Sequence, residues 1–279
     1  MQELRGKVAV VTGGGSGIGR ALALAFADEG MDIAIADIET GPAETVAEEV
    51  RAKGQKALAV ACDVTDLASV RALADSVNAE FGAAHVVCNN AGVVASSPSA
   101  EMRDTDWSWV LGVDLDGVVN GLQAFLPGLV AQGEGHIVNT SSIAGLVPSA
   151  APNIISYTAA KYGVVGITET LHEELRPAGV GASVLCPGVV RTRIGESGRN
   201  RPDAAASPPR QAPAAGGPPP RVVGRDAIEP EVLAQRVVEA VKNNDLYVVT
   251  HPETRAAVEA RFAAILAAYD KLDASLPGR

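Results

Sequence analysis

The sequence predicts one α/β domain, with a doubly wound sheet of about seven parallel strands and helices on both faces. Short β-branched runs alternate with longer helical segments along the chain, as expected for parallel strands joined by right-handed helical crossovers. A glycine-rich turn lies between the first strand and the first helix, where folds of this class bind a phosphate group. The length of 279 residues suits a single domain over residues 1–279.

Seven short apolar runs fit buried strands, and the segments between them fit helices. The strands are predicted at Lys7–Thr12, Asp32–Asp37, Lys56–Ala61, His85–Cys88, Gly135–Ser141, Gly181–Cys186 and Leu246–Thr250. The helices are predicted at Arg20–Glu29, Thr45–Lys53, Asp66–Phe81, Thr105–Val130, Tyr157–Arg176, Glu231–Lys242 and Glu253–Lys271. In this scheme residues 229–279 form a helix, a strand and a helix that complete the sheet and the ligand pocket.

Residues 195–226 interrupt this alternation. Seven prolines lie between Pro202 and Pro220, a composition typical of flexible low-complexity insertions. The segment also follows the strand end at which a doubly wound sheet binds its ligand, which favours a mobile substrate lid. The two interpretations are compatible, because a lid can be disordered until it closes.

The composition argues against several classes of protein. The formal net charge is -10, and the chain has no basic block, so nucleic acid is not an expected partner. No apolar run approaches the roughly 20 residues that a membrane span needs, and the N-terminus lacks a signal-peptide pattern. The three cysteines are far apart and the four histidines show no ligand spacing. We therefore expect free thiols, no metal site and a cytoplasmic location.

The turn after the first strand has the order Gly13, three residues, Gly17, Ile18, Gly19, with Ser16 inside it. It differs from the Gly-x-Gly-x-x-Gly fingerprint, but its glycines likewise let backbone N–H groups approach a pyrophosphate at a helix N-terminus.

Asp37, followed by Ile38, ends the second predicted strand. A carboxylate at this position accepts hydrogen bonds from the adenosine ribose hydroxyls. No arginine or lysine stands beside Asp37 to offset its repulsion of a 2′-phosphate. We therefore expect NAD as the cofactor, with NADP less favoured, and we expect Ile38 to line the same site.

Tyr157 and Lys161 are four residues apart on a predicted helix and so lie on the same face. A nearby ammonium favours the phenolate, so we expect the pKa of Tyr157 to lie well below its ordinary value of about 10. The pair alone is weak support for a catalytic role, because Tyr-x-x-x-Lys also occurs on solvated helices.

Six motifs, in order and spacing, resemble the short-chain dehydrogenase/reductase family. They are Thr12-Gly13-x-x-x-Gly17-Ile18-Gly19, Asp63-Val64, Asn89-Asn90-Ala91-Gly92, Ser141-Ser142, Tyr157-x-x-x-Lys161 and Pro187-Gly188. The match is close over about residues 4–195 and looser over the remainder. The resemblance implies a Rossmann-type fold, a nicotinamide dinucleotide cofactor and hydride transfer to or from a carbinol carbon.

The resemblance also implies roles for individual residues. Tyr157 would pass a proton to or from the substrate oxygen, Lys161 would lower the pKa of that tyrosine and hold the nicotinamide ribose, and Ser142 would hydrogen-bond the substrate oxygen. The other implied cofactor contacts are Asp63 and Val64 beside the adenine, Asn90, Ala91 and Gly92 along the channel, and Pro187, Gly188, Val190 and Thr192 at the nicotinamide amide.

One position departs from the family pattern. The family has a helix asparagine where this sequence has Asp114, and that asparagine helps to hold a water linking the lysine to solvent. Asn120 is not an obvious replacement, since six residues place it about 120° around the helix. An ionised Asp114 would stabilise the Lys161 ammonium and oppose the Tyr157 phenolate. We therefore expect an active proton relay with a shifted pH optimum.

The segments expected to wall the substrate pocket carry small or aliphatic side chains. The predicted pocket residues are Val94, Ala144, Val147, Ile154, Val189 and Ile194. Arg191 and Arg193 are expected to face solvent, so the expected substrate is a neutral, mainly apolar secondary alcohol or ketone. Two alternatives stay open, namely a non-catalytic NAD-binding sensor or scaffold, and an NAD-dependent lyase or epimerase on the same fold.

Small residues on two predicted helices leave the oligomeric state open. Gly117, Gly121, Gly163 and Gly166 permit close packing against the chain's own sheet or against a second subunit. The family resemblance implies the second arrangement, in a homotetramer or a dimer.

Overall fold

The computed structural model describes residues 1–148, 151–202 and 226–275. Its strands are β1 (Val8–Thr12), β2 (Asp32–Asp37), β3 (Ala57–Ala61), β4 (Val86–Asn89), β5 (Gly135–Thr140), β6 (Val180–Cys186) and β7 (Tyr247–Val249). Each strand begins and ends within one residue of its predicted position. All of them are parallel and form one sheet in the order β3-β2-β1-β4-β5-β6-β7. The predicted doubly wound Rossmann fold is confirmed.

The helices cover both faces of the sheet. They are α1 (Gly17–Asp28), α2 (Thr40–Ala52), α3 (Leu67–Phe81), α4 (Asp104–Leu111), α5 (Gly117–Gln132), α6 (Ile155–Glu174), α7 (Pro230–Asn243) and α8 (Arg255–Ser275). One core cluster packs α1, α2 and α7 on one face, and a second packs α3 and α5 on the other. Because both faces are covered, β1 and β4 are buried along their whole length.

Capping residues are found at the ends of two helices. The Asp66 carboxylate accepts a hydrogen bond of 2.9 Å from the Ala68 N–H and caps α3. Gly133 has a φ of 70°, in the left-handed region, and ends α5. Helix α2 begins at Thr40 rather than at Thr45, so the prediction missed its first turn.

The stretch predicted as one long helix from Thr105 or Asp106 to Val130, broken by Pro127 or running a little past it, consists of three parts. Helix α4 is followed by a π-helical turn at Gly112–Asp116, and α5 then runs through Pro127 as far as Gln132. A π-helical turn holds one extra residue and rotates the following helix. It therefore changes which side chains of this stretch face the sheet, and Asp114 lies within it.

Most of the small residues on these helices pack inside the chain. A Cβ on Gly117 would lie 2.8 Å from Val64, one on Gly121 would lie 2.0 Å from the Asn89 side chain, and one on Gly163 would lie 2.9 Å from Leu115. At Gly166 a Cβ would meet nothing within 4 Å. Three of the four glycines are thus required by intrachain packing.

The last elements extend the sheet and then leave it. Strand β7 pairs in parallel with β6, and α7 packs on the face that also carries α1. Helix α8 packs against the body through Ala257 and Val258 near its start, while Leu266 and Tyr269 are more than half exposed. Residues 203–225 lie outside the described residues, so the predicted mobile insertion or lid there stays a prediction.

Within the described ranges, no helix is both long enough and apolar enough to cross a membrane. The same residues contain no group of three or more His, Cys, Asp or Glu side chains arranged to hold a metal ion.

Candidate active site

A large cleft opens at the carboxyl ends of the strands. Strands β2 and β3 lie on one side of β1, and the chain then crosses to β4 on the other side of β1. Doubly wound folds bind their ligands at this reversal of strand order, between β1 and β4. The cleft is lined from the glycine turn after β1 to the Pro187–Thr192 segment after β6. One continuous surface therefore joins the predicted cofactor site to Tyr157.

The glycine turn forms a cradle that larger residues would fill. Gly13 has a φ of 61°, and a Cβ there would lie 2.8 Å from the Ala91 Cα. Gly17 has a φ of 52°, and a Cβ there would lie 3.0 Å from Thr192 Cγ2. Both positions combine left-handed backbone with a close neighbour, which only glycine accepts. The turn leads directly into the N-terminus of α1, so the residues present fit a pyrophosphate group.

Asp37 is held in place at the end of β2. Its Oδ2 accepts a hydrogen bond of 2.9 Å from the Gly15 N–H, and its Oδ1 accepts one of 2.9 Å from the Glu39 N–H. These bonds aim the carboxylate along the cleft and leave lone pairs for further donors. Asp37 thus fits the ribose of a dinucleotide bound on the glycine turn.

Asn90 ties together the strands beneath the cleft. Its Nδ2 donates to the Thr12 carbonyl at 3.0 Å, and its backbone N–H donates to Thr12 Oγ1 at 2.9 Å. The Thr140 hydroxyl donates to its Oδ1 at 3.4 Å. Asn90 therefore joins the ends of β1, β4 and β5.

Tyr157 and Lys161 face the cleft from α6, and Ser142 faces it from the end of β5. The Lys161 ammonium lies 5.4 Å from the centre of the Tyr157 ring and donates to the Thr140 carbonyl at 2.9 Å. Ser142 Oγ accepts from the Ala144 N–H at 3.1 Å and donates to the Pro187 carbonyl at 3.5 Å. The three side chains are thus held from separate elements around one point.

Burial raises the pKa of the Tyr157 phenol above its ordinary value. Lys161 and a hydrogen bond with Ser142 act in the opposite direction, and Asp114 adds to the rise. The lowered pKa predicted from the Lys161 contact alone is therefore wrong in its net direction, because removing the phenolate from water outweighs the ammonium.

Asp114 lies beneath the cleft and contacts Lys161. Its Oδ2 is 3.0 Å from the Lys161 ammonium, and its Oδ1 accepts a hydrogen bond of 2.8 Å from the Val93 N–H. Burial raises the pKa of Asp114, and Lys161 opposes the rise. For Lys161, burial lowers the pKa but Asp114 raises it, with a raised net value. Asn120 donates to the Val64 carbonyl at 2.8 Å instead.

The wall beyond Tyr157 is mainly apolar, and five of the six predicted pocket residues line it. They are Val94, Ala144, Ile154, Val189 and Ile194. Val147 does not line the cleft, because this side chain packs with Ile143 against Ala257 and Val258 of α8, next to Ile154 and Tyr157. Trp109 and Val113 also line the cleft, and neither was predicted.

The short 3₁₀ helix Ile194–Asn200 lines the cleft and is held by two contacts from separate parts of the chain. Arg199 Nη2 lies 2.6 Å from Glu39 Oε2, beside the end of β2. Ser197 Oγ accepts a hydrogen bond of 3.1 Å from the Val94 N–H. We call this segment the strap. Glu39 and Arg199 are 160 positions apart, and no sequence signal pointed to their pairing.

All predicted cofactor-binding residues line this cleft. They are Gly13, Ser16, Gly17, Ile18, Gly19, Asp37, Ile38, Asp63, Val64, Asn90, Ala91, Gly92, Tyr157, Lys161, Pro187, Gly188, Val190 and Thr192.

Comparison with known proteins agrees with this geometry. A family profile described as "short chain dehydrogenase" matches residues 7–203, which is more than half of the chain. The chain belongs to the short-chain dehydrogenase/reductase family. Among its members, one solved structure holds NAD and another holds NADP.

Three relatives show how far the similarity extends. The "C alpha-dehydrogenase" of Sphingobium sp. (strain SYK-6) is 32% identical over 268 residues, which cover 95% of this chain and 87% of the relative. A short-chain dehydrogenase/reductase from Burkholderia phymatum in complex with NAD is 38% identical, with a TM-score of 0.85 over 95% of this chain and 96% of that one. A metagenomic short-chain oxidoreductase in complex with NADP is 29% identical, with a TM-score of 0.70 over 89% and 96%.

Proposed function

We propose that this short-chain dehydrogenase/reductase transfers a hydride between NAD(H) and a neutral, mainly apolar secondary alcohol or ketone. The observation that carries the proposal is the arrangement of Tyr157, Ser142 and Lys161 at the apolar end of the cleft that begins at the glycine turn. A proton-transfer group and a nucleotide cradle on one continuous surface are what such a reaction needs.

In the direction of alcohol oxidation, the Tyr157 phenolate accepts the hydroxyl proton of the substrate as the carbon–hydrogen bond breaks. The Ser142 hydroxyl donates a hydrogen bond to the same substrate oxygen and fixes its position. The Lys161 ammonium offsets the phenolate charge that burial makes unfavourable. In the reductive direction the phenol returns its proton to the carbonyl oxygen. The nicotinamide, when bound, supplies or accepts the hydride.

The preference for NAD rests on the acidic adenosine end of the cleft. Asp37 and Glu39 both line it, and two carboxylates oppose a 2′-phosphate. Arg199, the cation beside them, is already paired with Glu39. The Burkholderia phymatum relative in complex with NAD lends further support.

The substrate class rests on the walls around Tyr157. Apart from the catalytic groups, the side chains here are largely aliphatic, with the Trp109 indole at one side. Arg191 pairs with Glu229, and Arg193, which lines the cleft, pairs with Glu196; all four side chains are more than half exposed. A carboxylate substrate would therefore find these cations already paired, which favours a neutral alcohol or ketone.

A screen of secondary alcohols with NAD, and of ketones with NADH, tests the proposal by following the nicotinamide absorbance. We expect stoichiometric formation or consumption of NADH with at least one apolar substrate. Turnover without net NADH change would instead support a lyase or epimerase. NADH binding without turnover of any compound would support a sensor or scaffold.

Two tyrosine variants on the same helix show whether the turnover comes from this cleft. Tyr157→Phe removes the proton-transfer group and is expected to lower kcat by about 100-fold or more, while NADH binding persists. Tyr162→Phe removes a buried hydroxyl one turn away, outside the cleft lining, and is expected to retain turnover. Equal activity of Tyr157→Phe and the unmodified chain would exclude the proposed mechanism.

A further inference from the structure

His251 is a buried histidine at the end of β7, directly against the turn that follows β6. It is 4% exposed. Its Nδ1 lies 3.1 Å from the Gly188 backbone nitrogen and 2.6 Å from Thr250 Oγ1. Its Nε2 lies 3.1 Å from the Val189 carbonyl and 3.1 Å from the Asp226 carbonyl. One imidazole thus joins the end of β7 to two other segments, the turn after β6 and the backbone at Asp226.

The chemical nature of these partners assigns the form of the ring. The Gly188 N–H can only donate, and it lies nearer to Nδ1 (3.1 Å) than to Thr250 Oγ1 (3.4 Å), so Nδ1 is its main acceptor and carries no proton. Backbone carbonyls can only accept, so Nε2 must carry the proton and is shared between two oxygens. The ring is therefore the neutral Nε2–H tautomer, with every polar atom engaged. A charged ring would place a proton on Nδ1 opposite the Gly188 N–H.

The turn that His251 contacts is also the turn that faces the nicotinamide end of the cleft. A Cβ on Gly188 would lie 2.7 Å from the His251 ring, so the backbone packs directly on the imidazole. On its other side the turn is joined to the Ser142 segment, because the Pro187 carbonyl accepts a hydrogen bond of 2.8 Å from the Ile143 N–H. The turn is thus held between the ring and the end of β5.

The same ring also supports the strand-like contact that follows the turn. The Ile228 N–H donates to the Val189 carbonyl at 3.1 Å, and the Arg191 N–H donates to the Ile228 carbonyl at 3.0 Å. The His251 Nε2–H donates to the Val189 carbonyl on one of these two segments and to the Asp226 carbonyl on the other. It therefore joins the two segments just before each enters the Val190–Ile228 pairing.

We infer that His251 is a positioning residue for the nicotinamide end of the cofactor site. It does not line the cleft, so it acts through the Gly188–Val190 backbone that does. An aliphatic side chain at this position would leave a buried N–H and two buried carbonyls with weaker partners. This inference rests on the proposed function, since it assumes that Pro187–Thr192 contacts the cofactor.

His251→Phe tests the inference, because it keeps a planar ring and removes both hydrogen-bonding atoms. We expect the dissociation constant of NADH and the KM for NAD to rise by about tenfold, the factor that corresponds to about 1.4 kcal/mol, with a smaller change in kcat. His251→Asn keeps an acceptor near the Nδ1 position and is expected to recover part of the affinity. His172→Phe is the matched control, because its Nδ1 contacts the Ala182 carbonyl away from the cleft.

Amide hydrogen exchange separates this inference from the proposed function, since it needs no cofactor. In His251→Phe we expect the Gly188 and Arg191 amides to lose protection while the β5 amides keep theirs. If His251→Phe does not fold, His251→Asn provides the test. In that variant we expect the Arg191 amide to lose protection and the Gly188 amide to keep it, which would support the inference. Unchanged protection at both amides in either folded variant would overturn the inference. Failure of the unmodified chain to bind NADH would overturn the proposed function, and the exchange result would still show whether His251 holds the Gly188–Arg191 backbone.

Discussion

The Asp114 carboxylate lies 3.0 Å from the Lys161 ammonium, and both side chains are almost completely buried. The ion pair sits directly behind Tyr157, so its carboxylate influences two groups of the proposed proton relay. It raises the pKa of Lys161 and contributes to the raised pKa of Tyr157. The ammonium is thereby preserved at high pH, and the phenolate becomes harder to form.

Replacing Asp114 by asparagine should move the pH dependence of alcohol oxidation. Oxidation needs the phenolate, so its rate rises with pH through the pKa of Tyr157. Asp114→Asn removes one cause of the raised pKa, and the rise in kcat/KM should therefore occur at lower pH. Lys161 loses the carboxylate that raises its own pKa, so the upper limit of the active range should fall as well. Both changes are measured in the pH–rate profile.

Asp116→Asn is the control for this change, because Asp116 lies in the same π-helical turn and is exposed. Its profile should match that of the unmodified chain. Superimposable profiles for Asp114→Asn and the unmodified chain would contradict the proposed influence of Asp114. Asp114→Ala should instead destabilise the fold by about 3–5 kcal/mol, because it leaves a buried ammonium without its partner.

The fold was predictable because its signals are local. Buried parallel strands read as short β-branched runs, and a glycine turn after the first of them marks the phosphate cradle. The π-helical turn at Gly112–Asp116 left no such signal, since one extra residue does not disturb the apolar pattern of a helix that is buried on several sides. The raised pKa of Tyr157 was missed for a different reason. The four-residue spacing to Lys161 shows the attraction between the two groups but not the burial that outweighs it.

Contacts between distant parts of the chain were the least predictable. The pairing of Glu39 with Arg199 and the contacts of His251 both depend on how the loops after β2, β6 and β7 meet. Neither the composition nor the spacing of those residues identifies a partner. An apolar residue such as Val147 fits a pocket wall and an intrachain contact equally well, and in the structure it packs against α8.

Gly121 should not tolerate alanine, whereas Gly128 on the same helix should. A Cβ on Gly121 would lie 2.0 Å from Asn89 Oδ1, and Asn89 donates to Asn139 Oδ1 at 2.9 Å within the buried sheet. Gly121→Ala should therefore destabilise the chain by about 1–3 kcal/mol through overpacking. At Gly128 a Cβ would meet nothing within 4 Å, so Gly128→Ala should be neutral or stabilise by up to about 1 kcal/mol. Urea unfolding of both variants measures the difference, and equal stabilities would contradict this prediction.

Removing the charge of Asp37 should weaken the preference for NAD over NADP. Asp37→Asn keeps an oxygen that can accept from the Gly15 or Glu39 N–H but no longer repels a 2′-phosphate. The ratio of kcat/KM for NADP to that for NAD should rise about tenfold or more, because like charges placed together cost several kcal/mol. Asp32→Asn, at the opposite end of β2, should leave the ratio unchanged. A ratio that is the same in Asp37→Asn and the unmodified chain would show that this carboxylate does not face the ribose.

The strap should control how fast the cofactor leaves the cleft. Arg199 bonds to Glu39, and Arg201, directly after the strap, lies 2.6 Å from Asp106 and 5.1 Å from the centre of the Trp109 ring. Glu39 and Arg199 both line the proposed cofactor site, so we expect cofactor release to require the Arg199–Glu39 contact to open. The Arg199 and Glu39 side chains are about a quarter to a third exposed, and such pairs contribute up to about 1 kcal/mol.

Arg199→Gln and Glu39→Gln should therefore each speed NADH dissociation by up to about fivefold, since 1.4 kcal/mol is a factor of ten. Stopped-flow displacement of bound NADH measures this rate directly. The double variant should release NADH no faster than the more affected single variant, because the two substitutions remove one contact. Arg176→Gln breaks an exposed ion pair with Glu173 near the end of α6, just before β6. This variant should leave the rate of NADH dissociation unchanged. An Arg199→Gln variant that releases NADH at the original rate would show that the strap opens without breaking this pair.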